Sequence, residues 1–248
     1  MPNIVLQYLE LETCNMCTRE CPWCIYGQIE GFSEQKFNKL ETVYIEKVLQ
    51  ELKSNNFKGT ISFYSMNEPL LDDRIIDGSI FKICKSILGE NARIKLNTNA
   101  DLLTEDILET MKASGLDLMH ISCYDTEILR KVQSFYKKFD EVYYRDYTGE
   151  NRKILRFNRA GTIESIIGLV NSNFSSCHLP FYSTIIGHDG KVRLCAFDSL
   201  ARVELGNIKE KGLFEILNSK EMKKIRVEVL NNRQNFYPCN ECNFSKFH

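Results

Sequence analysis

Short apolar runs alternate with amphipathic stretches through the first part of the chain. Residues 4–11 form an apolar run with β-branched and aromatic members, short enough for a strand. Between residues 41 and 52 the apolar side chains recur at helical spacing, and Gly59 then precedes a second strand at 60–65. This order predicts a strand followed by a helix and a second strand.

The alternation continues with helices that have recognisable caps. Thr104 and Gly115 bracket one of them, and Asp125 opens another. The further predicted elements are helices at 75–88, at 104–114 and from residue 125, and strands at 93–97, 118–123 and 141–145. Repeated βα units predict a parallel sheet, either open or curled into a full or partial barrel. Five or six strands are fewer than the eight of a full barrel.

The pattern changes after residue 161. Runs at 181–186 and 191–194 flank the turn residues His188, Asp189 and Gly190, which predicts a β-hairpin, and a helix follows at 213–229. The polar, weakly periodic segment 145–161 is the best candidate for a linker. We therefore expect two domains, 1–161 and 162–248.

Composition and charge narrow the class of protein. The 248 residues are 43% hydrophobic, enough for a full core, and the formal net charge is −1, which gives no basic field for nucleic acid. No run approaches the roughly 20 apolar residues that span a bilayer, and the N-terminus lacks the pattern of a signal peptide. We expect a cytoplasmic protein without a nucleic-acid or membrane partner.

Ten cysteines are the main chemical signal, and most lie in clusters near the two ends of the chain. Reducing cytosol disfavours disulfides, so such clusters indicate metal ligands or catalytic groups. Directly after the first strand, Cys17, Cys21 and Cys24 have the spacing C-x3-C-x2-C, with Trp23 before the last. Three thiolates can hold three irons of a [4Fe–4S] cluster and leave the fourth iron open.

Zinc is the alternative for these cysteines. It could be held by Cys14 and Cys17 with Cys21 and Cys24, or by Cys21 and Cys24 with two cysteines near the C-terminus. Zinc would account for the cysteine pairs but not for Trp23 or the ordered βα units. A non-catalytic metal-binding or electron-transfer module is the competing hypothesis from another class.

The spacing C-x3-C-x2-C after a first strand, with an aromatic residue before the last cysteine, resembles that of the radical S-adenosylmethionine (radical SAM) enzymes. The resemblance implies a partial (β/α)6 barrel. It also implies that S-adenosylmethionine binds the open iron and yields a 5′-deoxyadenosyl radical that abstracts hydrogen.

Other segments resemble that family at the ends of successive strands. Residues 65–69, Ser-Met-Asn-Glu-Pro, resemble a Gly-Gly-Glu-Pro segment that contacts the methionine amino group, although both glycines are absent. Residues 98–100, Thr-Asn-Ala, are similar to a Thr-Asn-Gly segment, and Ser122 lies where the family often has a serine. The cofactor-binding residues implied by the resemblance are Trp23, Asn67, Glu68, Thr98, Asn99 and Ser122.

The segment Asn158-Arg159-Ala160-Gly161 resembles the Asn-Arg-Gly-Gly of members with an added cluster domain. There the arginine reaches cofactor or substrate, which makes Arg159 a candidate catalytic residue. An arginine fork suits a carboxylate or a hydroxyl-rich ligand.

The C-terminal cysteines resemble the ligand set of a truncated SPASM, or "twitch", domain. By this resemblance Cys177, Cys195, Cys239 and Cys242 bind an auxiliary [4Fe–4S] cluster completely. A fully ligated cluster would move an electron and would not bind substrate. Structural zinc remains the alternative at these four residues. The resemblance thus implies two [4Fe–4S] clusters besides S-adenosylmethionine.

The length and both motif sets are most similar to members that oxidise an aminocyclitol in antibiotic biosynthesis. The implied reaction is oxidation of a secondary alcohol of a sugar or cyclitol to a ketone, and the implied electron donor is a flavodoxin or ferredoxin. We expect a monomer. An epimerase, the second alternative, needs a thiol as hydrogen donor; a peptide maturase is the third.

Three cysteines remain outside the two ligand sets. Cys123 ends a strand and is a candidate hydrogen donor, although strand alternation turns it away from the cofactor if Ser122 faces inward. Cys84 lies among apolar residues of a predicted helix and is expected in the core. Cys14 is expected to pack beside the first ligand set, and hydrogen donation by Cys14 is the alternative.

Overall fold

A seven-stranded sheet organises the computed structural model, which describes residues 4–30, 34–154, 158–160, 162–163 and 175–244. The strand order is β5-β4-β3-β2-β1-β6-β7, with every neighbouring pair parallel except β6 and β7. The strands are β1 Tyr8–Leu11, β2 Gly59–Ser62, β3 Ala92–Thr98, β4 Leu118–Cys123, β5 Val142–Asp146, β6 Ser183–Ile186 and β7 Val192–Arg193. Six parallel strands confirm the expectation of a partial (β/α)6 barrel.

The predicted hairpin is present, and its first strand also extends the sheet. β6 pairs parallel with β1, with Tyr8 opposite Ser183 and Leu11 opposite Ile186, while β7 returns antiparallel to β6. The hairpin therefore continues the barrel sheet across the proposed domain boundary. Gly161, where that boundary was set, lies outside the described residues, and the division into two domains stays a prediction.

The helices follow the predicted order, and the caps predicted at Thr104 and Asp125 are present. Thr104, Asp125 and Ser219 each accept a hydrogen bond from a backbone N–H of the first turn that follows. The helices are α1 Thr42–Ser54, α2 Asp73–Ile76, α3 Ser79–Leu88, α4 Glu105–Ala113, α5 Thr126–Phe135, α6 Leu213–Leu217 and α7 Lys220–Asn232.

Two predicted helices are each broken in two. The helix predicted at 75–88 is interrupted between α2 and α3 at Gly78, whose φ of 71° lies in the left-handed region. The helix predicted at 213–229 is interrupted after Leu217, where Ser219 caps α7. Apolar periodicity alone did not reveal either break.

The two faces of the sheet differ in polarity. On β1, Leu9 and Leu11 are fully buried in the main core, whereas Tyr8 and Glu10 alternate onto the other face. β4 repeats this pattern, since Cys123 is buried while Ser122 is only half-buried. The polar side chains therefore line the inner face of the barrel, below the loops that follow the strands. Among the described residues, no helix is long and apolar enough to cross a membrane.

Candidate functional site

The N-terminal cysteine loop borders a cleft with an empty volume of about 810 Å³. Cys17, Cys21 and Cys24 all line this cleft. The loop turns tightly because the amide of Cys24 donates to the carbonyl of Cys21 at 2.9 Å. A Cβ atom at Gly27 would lie 2.1 Å from that carbonyl oxygen, so only glycine fits against the loop.

Loops after successive strands supply the other walls of the cleft. The structure brings together all seven non-cysteine residues that the sequence had singled out, whereas Cys123 does not line the cleft. They are Trp23, Asn67, Glu68, Thr98, Asn99, Ser122 and Arg159. Their shared position fits the predicted site, while the role of each stays a prediction.

Glu68 ties together the loops after β2 and β3. It is 2% exposed, and its carboxylate accepts hydrogen bonds from Leu70 N at 3.1 Å, Thr98 Oγ1 at 2.6 Å and Asn99 N at 2.8 Å. Burial raises the pKa of Glu68 to about 7, although these donors oppose the shift. Its role in the fold is thus to fix the geometry of two loops that wall the cleft.

Met66 and Asn67 stand where the resembling segment has its two glycines, and both take part in hydrogen bonds that hold the loop. Ser65 N donates to Asn67 Oδ1 at 3.2 Å, and Met66 N donates to Glu12 Oε1 at 3.3 Å. These two amides therefore hold the loop. The polar side chains nearby are left as the donors and acceptors for a ligand in the cleft.

A polar network that sequence reasoning missed holds the cysteine loop against the neighbouring loops. Asn99 Nδ2 donates to Thr18 Oγ1 at 2.8 Å, and Thr18 in turn donates to Asp101. Arg19 pairs with Asp101 and also with Asp125, the latter at 2.5 Å. Only the position of Arg19 between two ligand candidates could have drawn attention to it.

Arg159 lies where the first cleft approaches a second cavity. Its Nη1 donates to the carbonyl of Ala196 at 3.0 Å, and its guanidinium lies 5.7 Å from the ring centroid of Phe197. Arg159 and Ala160 both have positive φ, 50° and 53°. Such strain persists only where surrounding contacts impose it. Arg159 lines the first cleft and Ala160 lines the second cavity.

The inner face of the sheet carries a charged row that sequence reasoning also missed. Glu10 on β1 pairs with Ser62 on β2, which pairs with Lys95 on β3. Burial raises the pKa of Glu10 to about 7, and the charges of Arg159 and Lys95 oppose the rise. The alternation of β1 could have revealed Glu10, since it separates two fully buried leucines.

The cysteines outside the ligand sets do not reach the cleft. Cys123 is fully buried in the main core, contrary to a role as hydrogen donor, because alternation turns it away while Ser122 and Tyr124 line the cleft. Cys84 is buried in the same core, as expected. Cys14 is buried beneath the loop and accepts a hydrogen bond from Asn67 Nδ2 at 3.4 Å.

The second cavity is lined by the four C-terminal cysteines. Its cysteines are Cys177, Cys195, Cys239 and Cys242, and its apolar walls include Leu179, Leu194, Phe197 and Phe244. Backbone contacts bring the distant segments together, as when Cys177 N donates to the carbonyl of Val229 at 2.9 Å. The cavity therefore collects four sulfur ligands from three separate stretches of chain.

The donor sets fit iron–sulfur clusters. Each set borders a cleft or cavity, and cysteine thiolates are the ligands of [4Fe–4S] clusters. Three cysteines border a cleft with both polar and apolar walls, and four enclose a mostly apolar cavity.

Two family models match the chain on these same segments. A model of the radical SAM superfamily matches residues 11–143, more than half of the chain. A model named SPASM and described as an iron–sulfur cluster-binding domain matches residues 177–243. Each match contains one of the two cysteine sets.

Relatives of known structure or activity share the architecture at low identity. An S-adenosyl-L-methionine-dependent 2-deoxy-scyllo-inosamine dehydrogenase of Niallia circulans is 24% identical over 224 residues, covering 88% of this chain and 84% of the relative. The crystal structure of BtrN in complex with AdoMet and 2-DOIA is 22% identical, with a TM-score of 0.80 over 98% of this chain and 95% of that chain.

A more distant structural match is Streptococcus suis SuiB bound to the precursor peptide SuiA. It is 14% identical, with a TM-score of 0.54 over 96% of this chain and 70% of that chain. At these identities the structural matches establish the fold and leave the substrate open.

Proposed function

The chain belongs to the radical SAM superfamily, and from this we propose that it oxidises a secondary alcohol of a sugar or cyclitol to a ketone. One observation carries the proposal: a cleft with three cysteines and a cavity with four are joined by the backbone of Arg159 and Ala160. Such an arrangement suits a reaction that starts at the first site and sends an electron to the second. The resemblance to the Niallia circulans dehydrogenase supports the same reaction class.

The cysteine sets would hold the two clusters. Cys17, Cys21 and Cys24 would hold the first, with S-adenosylmethionine completing it, and the four C-terminal cysteines would hold the second. When bound, these groups supply a 5′-deoxyadenosyl radical and a one-electron acceptor.

Residues of the cleft would bind and shield the cofactor. Asn67, Thr98 and Asn99 present polar groups to the cleft on loops that Glu68 fixes. Trp23 and Tyr124 form one wall, with ring centroids 5.6 Å apart. Such a wall excludes water from a reactive site.

Glu10 would accept the proton of the substrate hydroxyl, and Arg159 would orient the substrate. An alcohol that becomes a ketone must lose its hydroxyl proton, and a carboxylate with a pKa of about 7 is suited to accept it near neutral pH. The charge of Arg159 helps to keep Glu10 ionised and can orient a hydroxyl-rich ligand. The proton therefore moves to Glu10 in this proposal.

The positions of the remaining thiols favour oxidation over epimerisation. An epimerase must return a hydrogen atom to the substrate from a thiol, yet Cys14, Cys84 and Cys123 are buried away from the cleft. The proposal also includes a flavodoxin- or ferredoxin-type electron donor, a monomeric enzyme, a cytoplasmic location and a place in antibiotic biosynthesis.

The reaction is tested with anaerobically reconstituted protein, S-adenosylmethionine, a reductant and a panel of cyclitols and sugars with and without amino groups. We expect one 5′-deoxyadenosine per ketone in D2O, with no solvent deuterium in the product. Deuterium at an inverted carbon would indicate an epimerase. A product formed only on a peptide would exclude the proposed substrate class.

A further inference from the structure

Arg233, at the end of α7, is a buried cation in the wall of the C-terminal cysteine cavity. Its side chain is 1% exposed, and it lines the cavity together with the four cysteines. Its Nη1 donates to the carbonyl of Phe244 at 2.6 Å, and its Nη2 donates to the carbonyl of Cys242 at 3.1 Å. These bonds hold the guanidinium beside the ligand segment.

Arg233 shares the wall of one cavity with all four cysteines. Its hydrogen bond to the carbonyl of Cys242 holds the guanidinium directly against one of the ligand residues. The field of this fixed cation therefore reaches the space that the cluster would occupy. Because the surrounding walls are apolar, this field is weakly screened.

The proposed function requires this cluster to accept an electron. After hydrogen abstraction and loss of the hydroxyl proton, the substrate radical gives up one electron and becomes the ketone. The cluster gains that electron and becomes more negative by one charge. Net charge, hydrogen bonds and solvent exposure around a cluster set its reduction potential. A buried cation stabilises the reduced state more than the oxidised state.

We propose that Arg233 sets the reduction potential of the C-terminal cluster and makes it an effective acceptor for the electron of the substrate radical. Arg233 acts through the cluster and does not touch the substrate. The inference rests on the proposed function for the source of the electron, which is the substrate radical. The reduction potential of the cluster can be measured without any substrate.

Asp198 provides an opposite charge in the same cavity. It is 2% exposed, lines the cavity, and accepts hydrogen bonds from Arg202 N at 2.8 Å and Val203 N at 3.3 Å. A carboxylate there disfavours an additional electron on the cluster. The potential should therefore respond in opposite directions when Arg233 and Asp198 are neutralised.

The test is a redox titration followed by electron paramagnetic resonance on the full chain. Cys17, Cys21 and Cys24 are replaced by alanine so that only the C-terminal cluster assembles. Arg233→Met should lower the potential by at least the 59 mV that equals a tenfold weaker one-electron acceptor. Arg233→Lys should keep most of the wild-type potential, and Asp198→Asn should raise it.

Arg226→Met is the matched control. Arg226 is 4% exposed and donates to the carbonyls of Pro180 at 2.7 Å and Leu217 at 2.6 Å, but it does not line the cavity. Arg226→Met should destabilise the fold, but it should change the reduction potential of the cluster much less than Arg233→Met does. If Arg233→Met does not assemble a cluster, Arg233→Lys and Asp198→Asn still test the charge argument.

The possible outcomes separate this inference from the proposed function. An assembled cluster whose potential is the same in Arg233→Met and wild type would overturn the role of Arg233. Equal shifts in Arg233→Met and Arg233→Lys would attribute the effect to packing and would also overturn it. The absence of iron from the C-terminal site in otherwise wild-type protein would refute the second cluster, and with it the proposed function.

Discussion

Replacing Glu68 by alanine should destabilise the protein because three buried donors lose one shared acceptor. The donors are Leu70 N, Thr98 Oγ1 and Asn99 N, at 3.1, 2.6 and 2.8 Å from the carboxylate. A buried donor left without a partner costs about 1–3 kcal/mol. Thr98 and Asn99 line the cleft, where water can replace the lost acceptor, so the lower bound is appropriate, about 3 kcal/mol in total. For a chain of this size that corresponds to a loss of about 6–12 °C in Tm.

The assay is thermal unfolding followed by circular dichroism under anaerobic conditions. Thr98→Val is the comparison variant. It removes one of the three donors to Glu68 and also the acceptor that Ala100 N has at 3.0 Å, so it should cost about 1–2 kcal/mol, less than Glu68→Ala. A Glu68→Ala protein whose Tm equals that of wild type, or falls no further than that of Thr98→Val, would refute this account of Glu68.

The same residue predicts a pH dependence with a definite sign. Because burial raises the pKa of Glu68 to about 7, the folded state holds a proton on this group more strongly than the unfolded state does. Its contribution to stability is present below the ordinary carboxyl pKa and is lost as pH rises through about 7. The deficit of Glu68→Gln relative to wild type should therefore be larger at pH 5 than at pH 8, and a deficit that grows with pH would contradict the assignment.

Further substitutions test the rest of the site. Gly27→Ala places a Cβ atom 2.1 Å from the carbonyl oxygen of Cys21, so the variant should retain about four irons instead of about eight by iron analysis; full iron content would contradict this. Glu10→Gln should abolish ketone formation yet leave uncoupled cleavage of S-adenosylmethionine, and equal loss of both would argue against a proton acceptor. Arg159→Met should move the acid limb of the pH–rate profile to higher pH because Arg159 lowers the pKa of Glu10. An unchanged acid limb would show that Arg159 does not influence the ionisation of Glu10. Ala160→Gly relieves a φ of 53° and should raise stability by about 0.5–1 kcal/mol in urea unfolding, a gain that should be absent if that backbone is unstrained.

Local patterns predicted the elements of the barrel well because alternation and caps are local signals. The strand predicted at 118–123 has the same bounds as β4. Its alternation correctly places Cys123 on the face that packs in the main core and Ser122 on the opposite face. β6 pairs in parallel with β1, which places Tyr8 opposite Ser183 although the two are distant in sequence. No local pattern encodes such a pairing.

The candidate site was predictable where cysteine spacing or resemblance marked it. The charged residues around it were not, because their importance depends on neighbours distant in sequence. Arg19 reaches Asp101 and Asp125 from the cysteine loop, and Glu10 lies near Arg159. Ala100 and Ala160 hold positive φ where the resembling segments have glycine, a conformation that the sequence alone did not indicate.

The proposed chemistry requires one cluster that is open to S-adenosylmethionine and a second that is complete. Mössbauer spectroscopy of protein reconstituted with ⁵⁷Fe, with and without S-adenosylmethionine, distinguishes the two. We predict about eight irons in two cubane clusters, with S-adenosylmethionine changing one iron site of one cluster and leaving the other cluster unchanged. Zinc in place of iron, a single cluster, or two clusters that are both insensitive to S-adenosylmethionine would contradict the account.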